Sequence, residues 1–329
     1  MKQIAVALER WFGESHRPLP WRKKYDPYEV WVSEVMLQQT QVGTVLPYYQ
    51  RFIDKFPTLD ALALADEQDV LKLWAGLGYY RRARNLLHAA RAVVDRHNGR
   101  IPDDYETILD LPGIGRYMAG AILSIAFNKP YPIVDGNVRR VLSRIHGWRE
   151  DNPEKVWSAA ELVANSGEPR MVNQAMMELG ATICSFRAPR CLLCPVQSWC
   201  IAFQKGIQAS IPPVRQHPTT VRVALYAVVV EKNKKYLMKT VDGLWEFPMF
   251  SEAPAGNLRK VGVCRHTITH HRLYVTVCTG TLERTRDFSW KTLSAVPISS
   301  LTRKIAAMAE FTELEKSISG KLPPVKPSK

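Results

Sequence analysis

Two acidic residues carry the chemistry that the sequence suggests first. Glu34 interrupts an apolar stretch, residues 28–37, and its carboxyl group would titrate unusually high if desolvated. Asp135 precedes a helical pattern, where a capping carboxylate held by backbone N–H groups stays ionised near neutral pH. A high-pKa acid and a persistent anion are the pair that glycosidic bond cleavage needs. The plainer interpretations stay open: Glu34 at a helix edge in water, and Asp135 as a cap alone.

Four cysteines in one short segment indicate a metal centre. Cys184, Cys191, Cys194 and Cys200 are separated by six, two and five residues, close enough for four thiolates to surround one centre. A zinc site more often uses two Cys-x-x-Cys pairs, whereas a four-iron four-sulfur cluster takes four thiolates, so the spacing favours the cluster and leaves zinc open. The remaining two cysteines, 264 and 278, are predicted to be small core residues.

The elements that must position these groups are mostly helical over residues 1–210. Asp26, Pro27 and Glu29 have the pattern of a helix start, with a capping side chain and a proline in the first turn. Pairs of helical patterns flank residues 76–78 and 111–115, and residues 119–127 are apolar on all sides, which predicts a buried helix.

Residues 111–115 (LPGIG) have the form of a helix-hairpin-helix. Gly113 and Gly115 would let the backbone approach a phosphate, and the N–H groups that open the next helix favour an anion. A plain turn is the alternative. Two arginine sets could flank such a phosphate or form solvated helix faces: Arg81, Arg82 and Arg84, and Arg139, Arg140 and Arg144.

The composition changes near residue 211, which predicts two domains. A helical domain at 1–210 is followed by a linker at 211–220, a smaller α/β domain at 221–316 and a disordered tail at 317–329. Residues 221–231 and 236–240 are predicted to form a hairpin. The alternation of Leu273, Val275 and Val277 predicts another strand.

The net charge of +14 is concentrated in the second part of the chain. Residues 1–210 hold 26 Lys and Arg against 22 Asp and Glu, and residues 211–329 hold 19 against 9. Such a surface suits a polyanion, although charge kept for solubility is the alternative. The apolar run at residues 4–8 is too short for a secretory signal, and we expect a cytoplasmic protein with no membrane partner.

Together, the hairpin at 111–115, the Asp135 segment and the four-cysteine loop resemble the helix-hairpin-helix DNA glycosylase superfamily, in the family's order. Within it the chain resembles the MutY-type adenine glycosylases over residues 17–200 and the C-terminal domain. Residues 33–40 match the segment with that family's catalytic acid, and residues 243–248 resemble its Nudix-like domain, without a Nudix catalytic box. Where endonuclease III-like enzymes place a Schiff-base lysine, this chain has Tyr117, so lyase chemistry is not expected.

The resemblance implies a monofunctional enzyme that flips adenine, mispaired with 8-oxoguanine or guanine, out of double-stranded DNA and hydrolyses its glycosidic bond. Glu34 would protonate the base, Asp135 would stabilise the sugar cation, and Tyr117 and Asn137 would position both. The implied substrate and DNA contacts are Trp21, Arg22, Leu37, Gln39, Thr40, Tyr79, Gly113, Gly115, Glu178, Arg187, Arg190, Thr269 and His270. The cysteine loop at 184–200 would hold one 4Fe-4S cluster as a scaffold, in a monomer associated with the nucleoid.

Two other functions stay open beside this interpretation, and one loop of the chain differs from the family's usual sequence. An endonuclease III-like pyrimidine-lesion enzyme is disfavoured by Tyr117 and by the long C-terminal domain, and a non-catalytic iron–sulfur DNA-binding protein is disfavoured by the two acids. In the lesion-contacting loop, where the family often has Phe-Ser-His, this chain has Ile268, Thr269 and His270. The hydroxyl group is retained at Thr269, but the aromatic ring is lost.

Overall fold

The computed structural model describes residues 1–150, 152–213 and 219–319, the last nine by their backbone alone. The chain forms two compact units. The first comprises residues 1–65 and 81–216, and the second comprises residues 66–80 and 217–329. The change of unit at 216/217 falls within the predicted linker, of which residues 214–218 lie outside the described part.

The inclusion of residues 66–80 in the second unit was not indicated by the sequence, which placed them in the helical domain. Within that unit, the Gln68 side-chain amide donates to the Gly243 carbonyl at 3.3 Å and accepts from the Trp245 indole N–H at 3.3 Å. These partners lie more than 170 residues away in the chain, so no local pattern marks the contact.

Helices form most of residues 1–210, as predicted. They are α1 Lys2–Ser15, α2 Pro27–Leu37, α3 Val42–Lys55, α4 Leu59–Ala63, α5 Glu67–Trp74, α6 Arg81–His97, α7 Tyr105–Leu109, α8 Arg116–Ala121, α9 Gly136–His146, α10 Pro153–Ala164, α11 Pro169–Thr182 and α12 Ile201–Gln204. All except α5 belong to the first unit.

The helix starts follow the local chemistry of the sequence. Asp26 accepts from the backbone N–H groups of Tyr28 and Glu29, and Pro27 opens α2 in the first turn, where its missing N–H is no loss. The predicted hairpin at 111–115 joins α7 to α8. The apolar stretch that follows is buried, but after Ala121 it continues as a π-helical turn, Ile122–Ala126, rather than as α-helix.

A hydrophobic core holds α1, α9, α10 and α11 together in the first unit. Leu8 and Phe12 of α1 pack in one cluster with Leu142 of α9, Val163 of α10 and Leu179 of α11, and each is at most 1% exposed. Complete burial of side chains of this size stabilises the fold by about 1.5–3 kcal/mol each. This core fixes the start of α9, which carries Asp135 as its cap.

The second unit is the predicted α/β structure. Its strands are β1 Val221–Val229, β2 Glu231–Lys232, β3 Lys235–Val241, β4 Leu244–Glu246, β5 Met249–Phe250, β6 Leu258–Ile268, β7 His271–Gly280 and β8 Ser289–Lys291, followed by helix α13 Ser300–Ser319. One sheet has the order β5-β1-β7-β6, with β1 and β7 parallel, and in the other β3 pairs with β2, β4 and β8.

The predicted hairpin of residues 221–231 with 236–240 is correct only at its tip. Glu231 pairs with Tyr236 and Lys232 with Lys235, across a turn in which Asn233 and Lys234 both have positive φ. The long strand β1 instead pairs with β7 and β5, since the non-local partner offers nine residues of parallel pairing.

The C-terminal end differs from the sequence prediction as far as it is described. Helix α13 continues to Ser319, past the predicted start of the tail at 317, and residues 320–329 lie outside the described part. Among the described residues, no helix is at once long and apolar enough to cross a bilayer.

Candidate active site

Glu34 is buried inside the first unit. It lies in the C-terminal half of α2, is only 4% exposed, and its Oε2 accepts a hydrogen bond of 2.6 Å from the Tyr117 hydroxyl. Burial raises the pKa of Glu34 to about 7, with the Tyr117 hydrogen bond and the charge of Arg22 opposing the rise and the charge of Asp135 adding to it. A carboxyl group of this pKa is ready to give or take a proton at neutral pH.

Tyr117 lies in α8, directly after the helix-hairpin-helix turn. Burial, and then the charge of Glu34, raise the pKa of Tyr117 well above that of a free phenol. The hydroxyl group therefore keeps its proton and acts as a hydrogen-bond donor to Glu34. A phenol offers no amine for a Schiff base.

Asp135 caps α9, as predicted from its position. Its Oδ1 accepts from the backbone N–H of Val138 at 2.7 Å, and its Oδ2 accepts from the Asn137 side-chain amide at 2.9 Å. Burial raises the pKa of Asp135 above the ordinary aspartate value, and these hydrogen bonds oppose the rise. Its charge acts on the pKa of Glu34, so the fold brings the two acids within electrostatic range.

A chain of side chains continues from Asp135 towards the cysteine segment. Asn137 accepts through Oδ1 from the Arg140 guanidinium at 2.8 Å, and Arg140 donates to the carbonyl groups of Cys184 at 2.8 Å and Gly180 at 2.7 Å. Arg140 is thus neither a phosphate flank nor a solvated face. It joins the start of α9 to the end of α11.

The polar residues Arg22 and Glu178 meet in one buried cluster. Glu178 is 1% exposed and accepts from Arg22 at 2.9 Å and from Arg17 at 2.6 and 2.9 Å. Burial alone would raise the pKa of Glu178, but the two arginines lower it below the usual value, so it is an anion. The buried Trp21 ring belongs to the same short 3₁₀ turn as Arg22. The sequence does not indicate Arg17, because its partner Glu178 is 161 residues away in the chain.

The four cysteines of the loop line one pocket. Cys184, Cys191, Cys194 and Cys200 are free thiols that face it together with Arg144. As placed, neither they nor any other His, Cys, Asp or Glu side chains in the described ranges form a group that could hold a metal ion. The kind of donor nevertheless fits a thiolate-bound centre, because four cysteines line one cavity and four thiolates are the ligands of such a centre.

Arg144 corrects the prediction for the second arginine set. It is 2% exposed, and its guanidinium donates to the carbonyl oxygens of Ile211 at 2.8 Å, Ser185 at 2.7 Å and Phe186 at 2.9 Å. It also lies 3.3 Å from the Cys184 sulfur. Satisfied in this way, Arg144 shapes the cysteine loop rather than facing water or a phosphate.

Comparison with known proteins connects this geometry to a family. Residues 32–165 match the model of the HhH-GPD superfamily base excision DNA repair proteins. An adenine DNA glycosylase from Buchnera aphidicola subsp. Baizongia pistaciae is 37% identical over 281 residues, which cover 79% of this chain and 80% of the relative. The chain belongs to the adenine DNA glycosylase family. The predicted MutY-type membership is confirmed.

Other relatives of this adenine DNA glycosylase family member align over a smaller part of one of the two chains. The human adenine DNA glycosylase is 46% identical over 219 residues, which make up 62% of this chain but only 40% of the human protein. A thermostable thymine-DNA glycosylase of known structure is 30% identical, with a TM-score of 0.57, and covers 62% of this chain and 97% of its own. The predicted helix-hairpin-helix glycosylase fold is thereby confirmed.

In this family member, the segment after α2 has an unusual backbone. Leu37 ends α2, and Gln39 has a φ of 57°, a left-handed value that non-glycine residues seldom adopt. Thr40 Oγ1 accepts from Arg82 at 3.2 Å. Arg82 also donates to the carbonyl groups of Val35, Met36 and Gln38, so it is neither solvated nor directed at a phosphate, contrary to both sequence interpretations.

The remaining predicted contacts of the first unit lie on loops. Gly113 has a φ of 78°, and a Cβ there would meet the Asn85 side chain at 2.6 Å, so glycine is required. The Cβ position of Gly115 faces open space. Arg187 and Arg190 are exposed in the cysteine loop, and Arg190 also donates to the Thr182 carbonyl.

Three of the predicted DNA contacts belong to the second unit. Tyr79 is 47% exposed and has a φ of 49° in the turn before α6. Thr269 and His270 form the exposed two-residue turn between β6 and β7, where Thr269 has a φ of 52°. Strained, exposed non-glycine residues of this kind often occur at binding sites.

Proposed function

We propose that this chain is a monofunctional adenine DNA glycosylase of base-excision repair, which releases adenine mispaired with 8-oxoguanine or guanine in double-stranded DNA. The observation that carries the proposal is the buried Glu34, whose pKa is raised to about 7 by desolvation beside Tyr117 and Asp135. Family membership supports it, since related chains share the name adenine DNA glycosylase.

The reaction begins with a flipped adenine in the buried site. Protonated Glu34 donates its proton to a ring nitrogen of the base, and the glycosidic bond breaks with its electron pair leaving on adenine. The cation that develops on the sugar is stabilised by Asp135, held in place by Asn137 and the start of α9. Water then adds to the sugar carbon while Glu34 accepts its proton, which restores the acid.

Other residues bind and orient the substrate in this proposal. Arg22 and Glu178, with Trp21 beside them, recognise the polar edge of adenine, because a salt-bridged pair offers both donors and acceptors. The duplex and the oxidised guanine are contacted from exposed or strained loops. Those contacts are assigned to Leu37, Gln39, Thr40, Tyr79, Gly113, Gly115, Arg187, Arg190, Thr269 and His270.

The cysteine pocket would hold one 4Fe-4S cluster through its four sulfurs. The bound cluster would supply structural order to the loop of residues 184–200 rather than a reaction step. Arg144 and Arg140, which bind carbonyl groups of this loop, would maintain its shape. The protein would act as a monomer at the nucleoid.

Single-turnover release of adenine from an A·8-oxoguanine duplex tests the proposal. The wild-type chain should release adenine from this duplex and leave an A·T duplex intact, and Glu34→Gln should bind the mismatch without releasing the base. Glu29→Gln, which changes an acid on the same helix, serves as the matched control. Absence of adenine release by the purified wild type would refute the function.

The same assay separates the endonuclease III-like alternative. Strand cleavage without alkali would require an amine nucleophile, and the position in question holds the Tyr117 phenol. We therefore expect abasic product that breaks only after alkali treatment. Robust cleavage in the untreated sample would favour the alternative.

A further inference from the structure

One face of the sheet β5-β1-β7-β6 carries three arginines and two tyrosines. The strand register places its residues in three rows, since residues paired directly across strands project to the same side. The rows, each read from β6 through β7 to β1, are Thr267, Arg272 and Arg222; then Arg265, Tyr274 and Ala224; then Val263, Thr276 and Tyr226. We call this surface the arginine face.

The opposite side of the same strands is a core. Cys264, Leu273 and Val275 occupy the alternating positions, are at most 9% exposed, and pack with Leu301 and Ile305 of α13. The residues of the arginine face, in contrast, are exposed or half-exposed. Helix α13 therefore covers one side of the sheet and leaves the arginine face open to a partner.

The charge of the arginine face is of one sign. None of its nine residues is acidic, and its arginines form no ion pair with any side chain of the described residues. The Arg265 guanidinium lies 5.9 Å from the centre of the Tyr274 ring. Neighbouring strands are about 4.8 Å apart and each residue adds about 3.4 Å along a strand, so the backbone positions of the three arginines lie within a patch of roughly 10 by 7 Å. An unpaired patch of this kind attracts a polyanion.

We propose that the arginine face binds the phosphate backbone of duplex DNA, independently of sequence and of the mismatch. Arginine is suited to phosphates because its planar donors bind two oxygens together, and each neutralised phosphate releases counterions. The inference extends the proposed function, because a glycosylase must find rare lesions among undamaged base pairs. The face continues to Thr269 and His270, the turn that joins β6 to β7.

The test compares two triple variants of the full-length protein. R222Q/R265Q/R272Q removes the charge of the arginine face, and R259Q/R303Q/K304Q removes three exposed charges from β6 and α13 outside its three rows. The affinity of each for an undamaged duplex of about 25 base pairs is measured by fluorescence anisotropy between 50 and 200 mM salt. The arginine-face variant should bind roughly ten- to a hundredfold more weakly at 50 mM salt, with a salt slope reduced by about 3. The control should keep most of the wild-type slope.

Equal slopes for the two variants would overturn the proposal, as would an unchanged affinity of the arginine-face variant. Melting temperatures check that all variants fold. Single-turnover adenine release at saturating protein should stay at the wild-type rate in R222Q/R265Q/R272Q, because none of its substitutions touches Glu34 or Asp135. Since that assay tests the proposed function on its own, a wild type that binds DNA through the arginine face but releases no adenine would disprove only the function.

Discussion

At the scale of single residues, burial and hydrogen bonds act in opposite directions on the pKa of Glu34. Desolvation is the largest effect on Glu34 and would alone favour its neutral form. The Tyr117 hydrogen bond stabilises the anion and limits the rise. The result is a carboxyl group with a pKa of about 7, which can donate a proton in one step and accept one in the next at neutral pH.

The first prediction is the pH dependence of adenine release. Because Glu34 must be protonated to donate, the single-turnover rate at subsaturating protein should be constant at low pH and fall above pH 7, about tenfold per pH unit. Rates measured between pH 5.5 and 9 on an A·8-oxoguanine duplex give the profile. A rate that rises through this range would contradict the assignment of Glu34 as proton donor.

Tyr117→Phe provides the second prediction. Removal of the hydroxyl group deletes the hydrogen bond that lowers the pKa of Glu34, so the fall in rate should move to higher pH. The displacement of the midpoint distinguishes this role from a structural one, which would lower the rate equally at every pH. Tyr105→Phe, in the neighbouring helix α7, should leave the midpoint in place.

The third prediction concerns stability. Glu34 has a folded pKa above its unfolded value, so the folded state binds more protons between about pH 4.5 and 7, and the free energy of unfolding decreases as the pH rises through that window. The total decrease is up to about 3 kcal/mol. Glu34→Gln removes it, so the melting temperature of this variant should exceed the wild-type value increasingly from pH 5 to pH 8. An equal difference in melting temperature at pH 5 and pH 8 would exclude a raised pKa for Glu34.

At the scale of elements, Arg82 forms hydrogen bonds both to the end of α2 and to the segment that follows it. The last carbonyl groups of a helix have no partners within it, and Arg82 of α6 donates to two of them and to Gln38 beyond. It also holds the Thr40 hydroxyl. The orientation of residues 37–40 thus depends on one guanidinium of another helix.

Arg82→Met is therefore expected to affect mismatch binding more than a surface substitution would. Three carbonyl groups lose a charged donor, at a cost of about 1–3 kcal/mol for each one left unsatisfied, so the melting temperature should drop. Its affinity for the A·8-oxoguanine duplex should fall at least tenfold even at temperatures where the fold is intact. The neighbouring and exposed Arg81→Met is the control, and equal affinities of the two variants would contradict the role of Arg82.

The elements also show which features a sequence can predict. The cap at Asp26 and the cap at Asp135 were predictable because both depend on groups within three residues. The pairing of β1 with β7 and the partners of Arg82 and Arg144 were not, because they join residues 40 or more positions apart. The raised pKa of Glu34 was predictable in direction from its apolar surroundings, whereas the cluster of Arg17 with Glu178 required the fold.

At the scale of the whole molecule, each unit carries its own set of candidate residues. Glu34, Asp135 and the Arg22–Glu178 pair belong to the first unit, while Tyr79, Thr269 and the arginine face belong to the second. The second unit is discontinuous in sequence, and within it Gln68 of residues 66–80 bonds to Gly243 and Trp245. Deleting the chain from about residue 217 would remove the partners of that segment as well. A substitution at one turn therefore tests lesion reading more cleanly than a truncation.

Thr269→Gly is the substitution of choice. Thr269 has a φ of 52°, which glycine adopts without strain, so the variant should melt at the wild-type temperature or slightly above while it loses the hydroxyl group. If that hydroxyl contacts 8-oxoguanine, affinity for A·8-oxoguanine should fall about five- to tenfold, the equivalent of one hydrogen bond, while adenine release from A·G keeps its rate. Lys234→Gly makes the same backbone change in the turn between β2 and β3 and should alter neither substrate. Equal losses on A·8-oxoguanine and A·G would show that the turn adds affinity without reading the lesion, because only a contact to the oxidised base can separate the two.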